Sequence, residues 1–176
     1  MSYKAINNIT AINDSLENPS ATAEFKLGST IPINDTTKGQ ESVFMYCKSH
    51  AALNLGQPVN LIAGTGGDAE LVTAAFTAVS TGAGELIGYP LTAVPSGYYF
   101  WAQISGVITA AAGTVAAGDY VQVLASGTTV VVDGTTGSTT RSATSCGIAK
   151  TATSGGLAEI VVMPGLRSHI DEDPGV

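Results

Sequence analysis

A chain of 176 residues is long enough to bury roughly two-thirds of its unfolded surface in a single domain. A formal charge of −7 with only seven Lys and Arg leaves it too poor in cations to grip a nucleic-acid backbone. Charged residues make up 12% and aromatics 6%, and Gly, Ala, Thr and Val dominate, a composition closer to shell and fibre proteins than to cytosolic enzymes.

The opening MSYKAINNITAINDSLENPS is rich in Asn and Ser, spaces Ile6, Ile9 and Ile12 singly and ends beside the breaker Pro19. Residues 1–20 are predicted to form an extended arm or a short helix outside the core. The stretch MSYKAINNITAINDS lacks the apolar core of a secretion signal, and no apolar run reaches the roughly 18 residues of a membrane span. Synthesis in a cytoplasm is expected, with neither nucleic acid nor membrane as a partner.

Residues 21–165 read as a β domain. The segments TAEFKLG, SVFMYCK, PVNLIAG, ELIGYPLTAV, GYYFWAQISG, GDYVQVLASG, TTVVVDG, SCGIAK and LAEIVVMPG are β-branched or aromatic and are separated by Gly-bearing turns. A spacing of about 8 to 12 residues predicts an all-β fold, an antiparallel sandwich or barrel of jelly-roll-like type. AELVTAAFTAVS, residues 69–80, suits an amphipathic helix or a strand, and its residue types together with Gly82 and Gly84 favour the strand. WAQISG, YVQVLASG and AEIVVMPG each set a polar residue before an apolar run and a Gly, a pattern that suits successive hairpins. Residues 166–176, with Asp171, Glu172 and Asp173 beside Pro174, are expected to form an acidic, flexible tail.

Motifs with chemical meaning are few. Gly64, Gly66 and Ala69, with Glu85 further on, match a dinucleotide-binding spacing, but the segments that follow are β-like and not the βαβ unit that spacing serves, so a turn is the favoured reading. Cys47 and His50 have CxxH spacing, with Cys146 and His169 as distant partners, yet no second paired motif supports a metal. The cysteines are expected to be free and buried. Asp14 and Glu17 fall in the arm, where solvation accounts for them, and GxSxG, HExxH and GxxxxGK[ST] do not occur. The expectation is a non-enzymatic chain with no cofactor, no metal and no catalytic residues.

GYYFWAQISG, residues 97–106, is the one place with four aromatics in a row. Alternation puts Tyr98, Phe100, Ala102 and Ile104 on one face, read as core, and Tyr99, Trp101, Gln103 and Ser105 on the other. Aromatic rings bury on the order of 150–250 Å² each, so leaving Tyr99 and Trp101 uncovered forgoes several kcal/mol at about 25 cal/mol/Å². Their cover is the chain itself, a neighbouring subunit, or a sugar stacked on the rings.

The succession LGSTIPINDTTKGQESVFMYCKSHAALNLGQPV, ELIGYPLTAVPSGYYFWAQISGVITA, GTVAAGDYVQVLASG and CGIAKTATSGGLAEIVVM resembles the tailed-phage proteins that decorate or cement capsids. The resemblance runs over about residues 25–163. It is carried by Gly97, Trp101, Gln103 and Gly106, by the turn Ala116, Ala117, Gly118 and Asp119, and by Gly147, Ile148, Ala149, Gly156 and Val161. It implies a β domain assembled as a homo-oligomer, commonly a trimer, on the outer capsid surface of a virion. There it would bind the major capsid protein and stiffen junctions between its subunits. On this reading Tyr99, Trp101 and Gln103 lie at a subunit or capsid interface, as do Tyr3, Ile6, Ile9 and Ile12 of the arm. The alternative within the virion is a head-fibre or host-surface glycan-binding protein.

Overall fold

The computed structural model describes residues 16–35, 40–63, 69–70, 86–123, 129–133 and 145–162. Its elements are β1 (Thr30–Asp35), β2 (Gln40–Lys48), β3 (Val59–Ala63), β4 (Ala69–Glu70), β5 (Leu86–Pro90), β6 (Tyr99–Ala111), β7 (Tyr120–Val123), β8 (Val130–Val132), β9 (Gly147–Ala149) and β10 (Leu157–Val162). Among the described residues, every pairing between these strands is antiparallel, as the turn-punctuated sequence predicts. Of residues 69–80, only Ala69 and Glu70 are described, and they are strand.

The 13-residue β6 organises the molecule. Its first half pairs with β2 through Tyr46↔Trp101 and Cys47↔Phe100, and with β5 through Tyr89↔Gln103. Its second half pairs with β10 through Ile108↔Ile160. One strand therefore serves two wings, β1-β2-β6-β5-β3-β4 and β6-β10-β9-β7-β8.

The change of wing is built into the register. Phe44 stands opposite Gln103 and Val43 opposite Ser105, so Ile104 has no opposite residue and forms a β-bulge. A bulge of one residue reverses the alternation that follows it. Tyr89, opposite Gln103, accordingly shares a buried cluster with Ile108, Ala110 and Ala112, whereas Phe100 and Ala102 belong to another. This corrects the core position expected for Ile104, which is only half-buried. Gly106, two residues on, has φ +91°, and a Cβ there would stand 2.7 Å from Ser42 Oγ, so a side chain fits neither the backbone nor the space.

The second wing closes on itself. From β8 a bridge joins Val130 to Ala112 just past β6, and the Gly113 N–H donates to the Val130 carbonyl at 2.8 Å. Inside this circuit lies the largest apolar cluster, with Ala110, Val121, Val130 and Ile160 fully buried. The echo of WAQISG, YVQVLASG and AEIVVMPG is not one of successive hairpins, because β10 and β9 stand between β6 and β7. The turn at Ala116–Asp119 is closed by the buried Asp119, whose Oδ2 accepts the Ala116 N–H at 2.7 Å.

Two further differences arise near the N-terminus. TAEFKLG is not a strand, and the edge strand β1 follows it instead. Pro32 has no N–H to give a partner and stands exposed on β1, which among the described residues pairs with β2 alone, a placement that blunts a sheet edge.

Candidate functional site

The expected interface centred on β6, whose two faces are both covered from Phe100 to Gln103. Phe100 and Ala102 pack with Cys47, Leu53, Val59 and Val94 beneath the loops bridged by Leu53 and Val94. On the opposite face Trp101 is 1% exposed, packed with Phe44 and Tyr46. Alternation thus assigned the two faces correctly up to the bulge.

The cover over Trp101 comes from residues 16–28, with Ile31 and Ile33 of β1 and Leu91 packed against the same cluster. Ser20 and Tyr99 exchange backbone hydrogen bonds of 2.9 and 2.8 Å, and the Gly28 N–H donates to the Tyr46 carbonyl at 2.9 Å. The intervening chain, held at both ends, crosses the aromatic face as a strap. Phe25 places its ring centroid 5.2 Å from those of Tyr46 and Trp101, and Leu16 and Leu27 pack against the same cluster. The Glu24 N–H donates to the Tyr46 hydroxyl at 3.0 Å, and burial raises the pKa of this phenol. Edge-on and tilted rings at such separations suit the aromatic quadrupole.

The outside partner expected for Trp101 is therefore corrected, because the chain's own strap covers the indole. The Trp101 ring is equally closed to a sugar. Gln103, 2% exposed, is also internal, and its Nε2 lies 3.0 Å from both Ser42 Oγ and the Ser105 carbonyl and 3.3 Å from the Val107 carbonyl. A buried amide held in this way joins β2 to the bend of β6 and does not serve a partner. Tyr99 alone of the three is half-exposed, with its ring stacked on Tyr46 at 6.1 Å and the Lys48 ammonium 5.4 Å from its centroid. Tyr3, Ile6, Ile9 and Ile12 lie outside the described residues. Leu16 and Ser20, assigned by sequence to an arm outside the core, belong to the packed strap.

The other motifs separate in space. Cys47 and Cys146 form no disulfide, are buried and lie in different clusters, and His50 is exposed. Burial pushes the Cys47 thiol up to about 12, which keeps it in the unreactive protonated form. No group of three His, Cys, Asp or Glu side chains that could hold a metal ion occurs among the described residues. Ala69 begins a strand and not a helix, while Gly64, Gly66, Glu85 and His169 lie outside the described residues.

The sequence reading missed the strap and a second surface feature. On the outside of the closed wing, Tyr120↔Ile148 and Ile148↔Val161 form a continuous apolar row across β7, β9 and β10. Beside it Lys150 Nζ lies 3.5 Å from Glu159 Oε2.

No family model matches the chain, and no curated protein matches it. Among solved structures it is similar to the head fiber gp8.5 N base of bacteriophage phi29, at 16% identity and a TM-score of 0.48 over 69% of this chain and 94% of that one. A TM-score below 0.5 does not establish a shared fold.

Proposed function

We propose that the chain is a non-enzymatic structural protein of a phage virion that decorates the outer surface of the head and cements neighbouring major capsid subunits. The observation that supports this reading is where the residues resembling decoration proteins fall. Trp101, Gln103 and Gly106 lie on β6, Ala116–Asp119 close the turn before β7, and Gly147–Ala149 and Val161 lie on β9 and β10. They are spread along one hydrogen-bonded framework and do not gather into a reactive pocket. They build a rigid platform, which a cementing protein needs in order to present a fixed surface to several neighbours.

In this role the chain works as a homo-oligomer, for which the resemblance suggests a trimer, with the major capsid protein as its partner. Residues 1–15 reach the capsid or a sister subunit. The strap marks where that segment joins the platform, since Leu16 and Ser20 are already fixed to it.

The test is cryo-electron microscopy of parent particles assembled with the full chain and with residues 1–15 removed. Deletion is confined to those residues because loss of Leu16 or Ser20 would also open the Trp101 cluster. Density on the outside of the head, spanning capsid subunits and lowered in occupancy by the deletion, is the expected result. A chain absent from the particle, or found inside it, overturns the proposal.

A further inference from the structure

The outer face of β9 and β10 has the composition of a self-complementary contact. Outward positions on a barrel wall are ordinarily polar. Here Val161 is 36% exposed, with half-buried Ile148 and Tyr120 beside it in the same cross-strand row. Lys150, two residues beyond Ile148, and Glu159, two residues before Val161, form the adjacent row and carry one charge of each sign.

We infer that this face pairs with the same face of a second copy of the chain. A two-fold axis parallel to β9 and β10 and midway between them lays Ile148 of each copy over Val161 of the other. The same operation lays each Lys150 over the other copy's Glu159. Apolar row meets apolar row, and both ion pairs form across the contact, as an isologous interface requires. Two copies at −7 each repel on average, so a neutral face bearing one of the seven cations is a favourable place for them to meet. The apolar row supplies affinity while the charges fix orientation, because exposed ion pairs alone contribute little. The contact does not depend on the capsid reading, and a trimer built through another face would pair through this one into a hexamer, which is again a doubling in mass.

Light scattering over a concentration series tests this with the full chain, Lys150→Glu, Glu159→Lys and an equimolar mixture of the two variants. The full chain is expected to show a concentration-dependent doubling in mass. Each reversal sets like charges opposite each other and should weaken pairing by about tenfold or more. In the mixture, a copy with two lysines faces a copy with two glutamates, and pairing should return. Recovery on mixing cannot come from an effect inside one chain, and circular dichroism of each variant confirms that it folds. A full chain that stays at one mass, a trimeric mass indifferent to the reversals, or a mixture that stays dissociated would each overturn the inference.

Discussion

Phe25 and Trp101 meet with ring centroids 5.2 Å apart and planes inclined at 59°, although one comes from a segment without strand structure and the other from the central strand. This contact turns an aromatic strand that needed cover into a closed unit. Phe25→Ala should remove the ring of that cover that meets the indole directly. Buried Phe→Ala changes cost about 3–5 kcal/mol, and since Phe25 is half-buried, a loss of about 2 kcal/mol is expected. Trp101 is the only tryptophan, so its emission reads the site directly. Red-shifted native emission with a lower denaturation midpoint is the expected outcome, and an unshifted spectrum would mean that the strap does not seal the indole.

The strands in SVFMYCK and GYYFWAQISG were legible because a strand with two buried faces must be apolar on both and so reads as a near-continuous apolar run, and β2 and β6 lie where those segments predict. Ile104 was misread because a bulge depends on the register with a partner strand some sixty residues away, which local alternation does not encode. Phe25 and Leu27 have the spacing of strand residues, so the sequence could not distinguish a strand from a strap. Tyr120, Ile148 and Val161 each look like an ordinary isolated apolar residue. They become a surface only when two registers place them side by side.

Gly106 is expected to be intolerant of any side chain. Its φ of +91° is costly for an L-residue, and the added Cβ would press on Ser42 Oγ at 2.7 Å and the Glu41 carbonyl at 3.0 Å. Gly106→Ala should destabilise by about 2 kcal/mol, since backbone strain of this kind costs on the order of 1–3 kcal/mol. Gly113→Ala is the control, because its nearest contact would be an ordinary 3.4 Å from Val131 Cγ1. That change should stay within roughly 0.5 kcal/mol. Equal losses in urea unfolding of the two variants would remove the special role given to the bend.

Asp119 should matter to the fold through the turn it closes. Its carboxylate accepts the Ala116 N–H at 2.7 Å inside a turn that leads into β7, and it is 1% exposed. Asp119→Ala leaves that donor without its acceptor and should cost about 1–3 kcal/mol. Amide hydrogen exchange is the sharper readout. Ala116 and the start of β7 should lose protection first, and uniform loss across the domain would count against a local capping role.

Cys47 offers a pH test of how dry the core beneath β6 is. Burial holds its thiol at about 12 against an ordinary value of 9.0. Between those values the unfolded chain releases a proton that the folded chain keeps, so the folded state binds more protons and stability falls as pH rises. The contribution is fully present below pH 9.0 and fades toward 12, at about 1.4 kcal/mol per pH unit. The raised Tyr46 phenol acts in the same direction above its ordinary value of 10.0. Cys47→Ala separates the two. Near neutral pH the variant should be less stable by about 1 kcal/mol for the lost packing. Between pH 9.0 and 10.5 its stability should fall less steeply than that of the parent, which loses about 2 kcal/mol over that range, so that the gap closes and then reverses. Parallel stability curves across that range would show that the thiol is not desolvated. Thiol titration at pH 8 should agree with the first outcome, with Cys47 modified only after denaturant opens the fold.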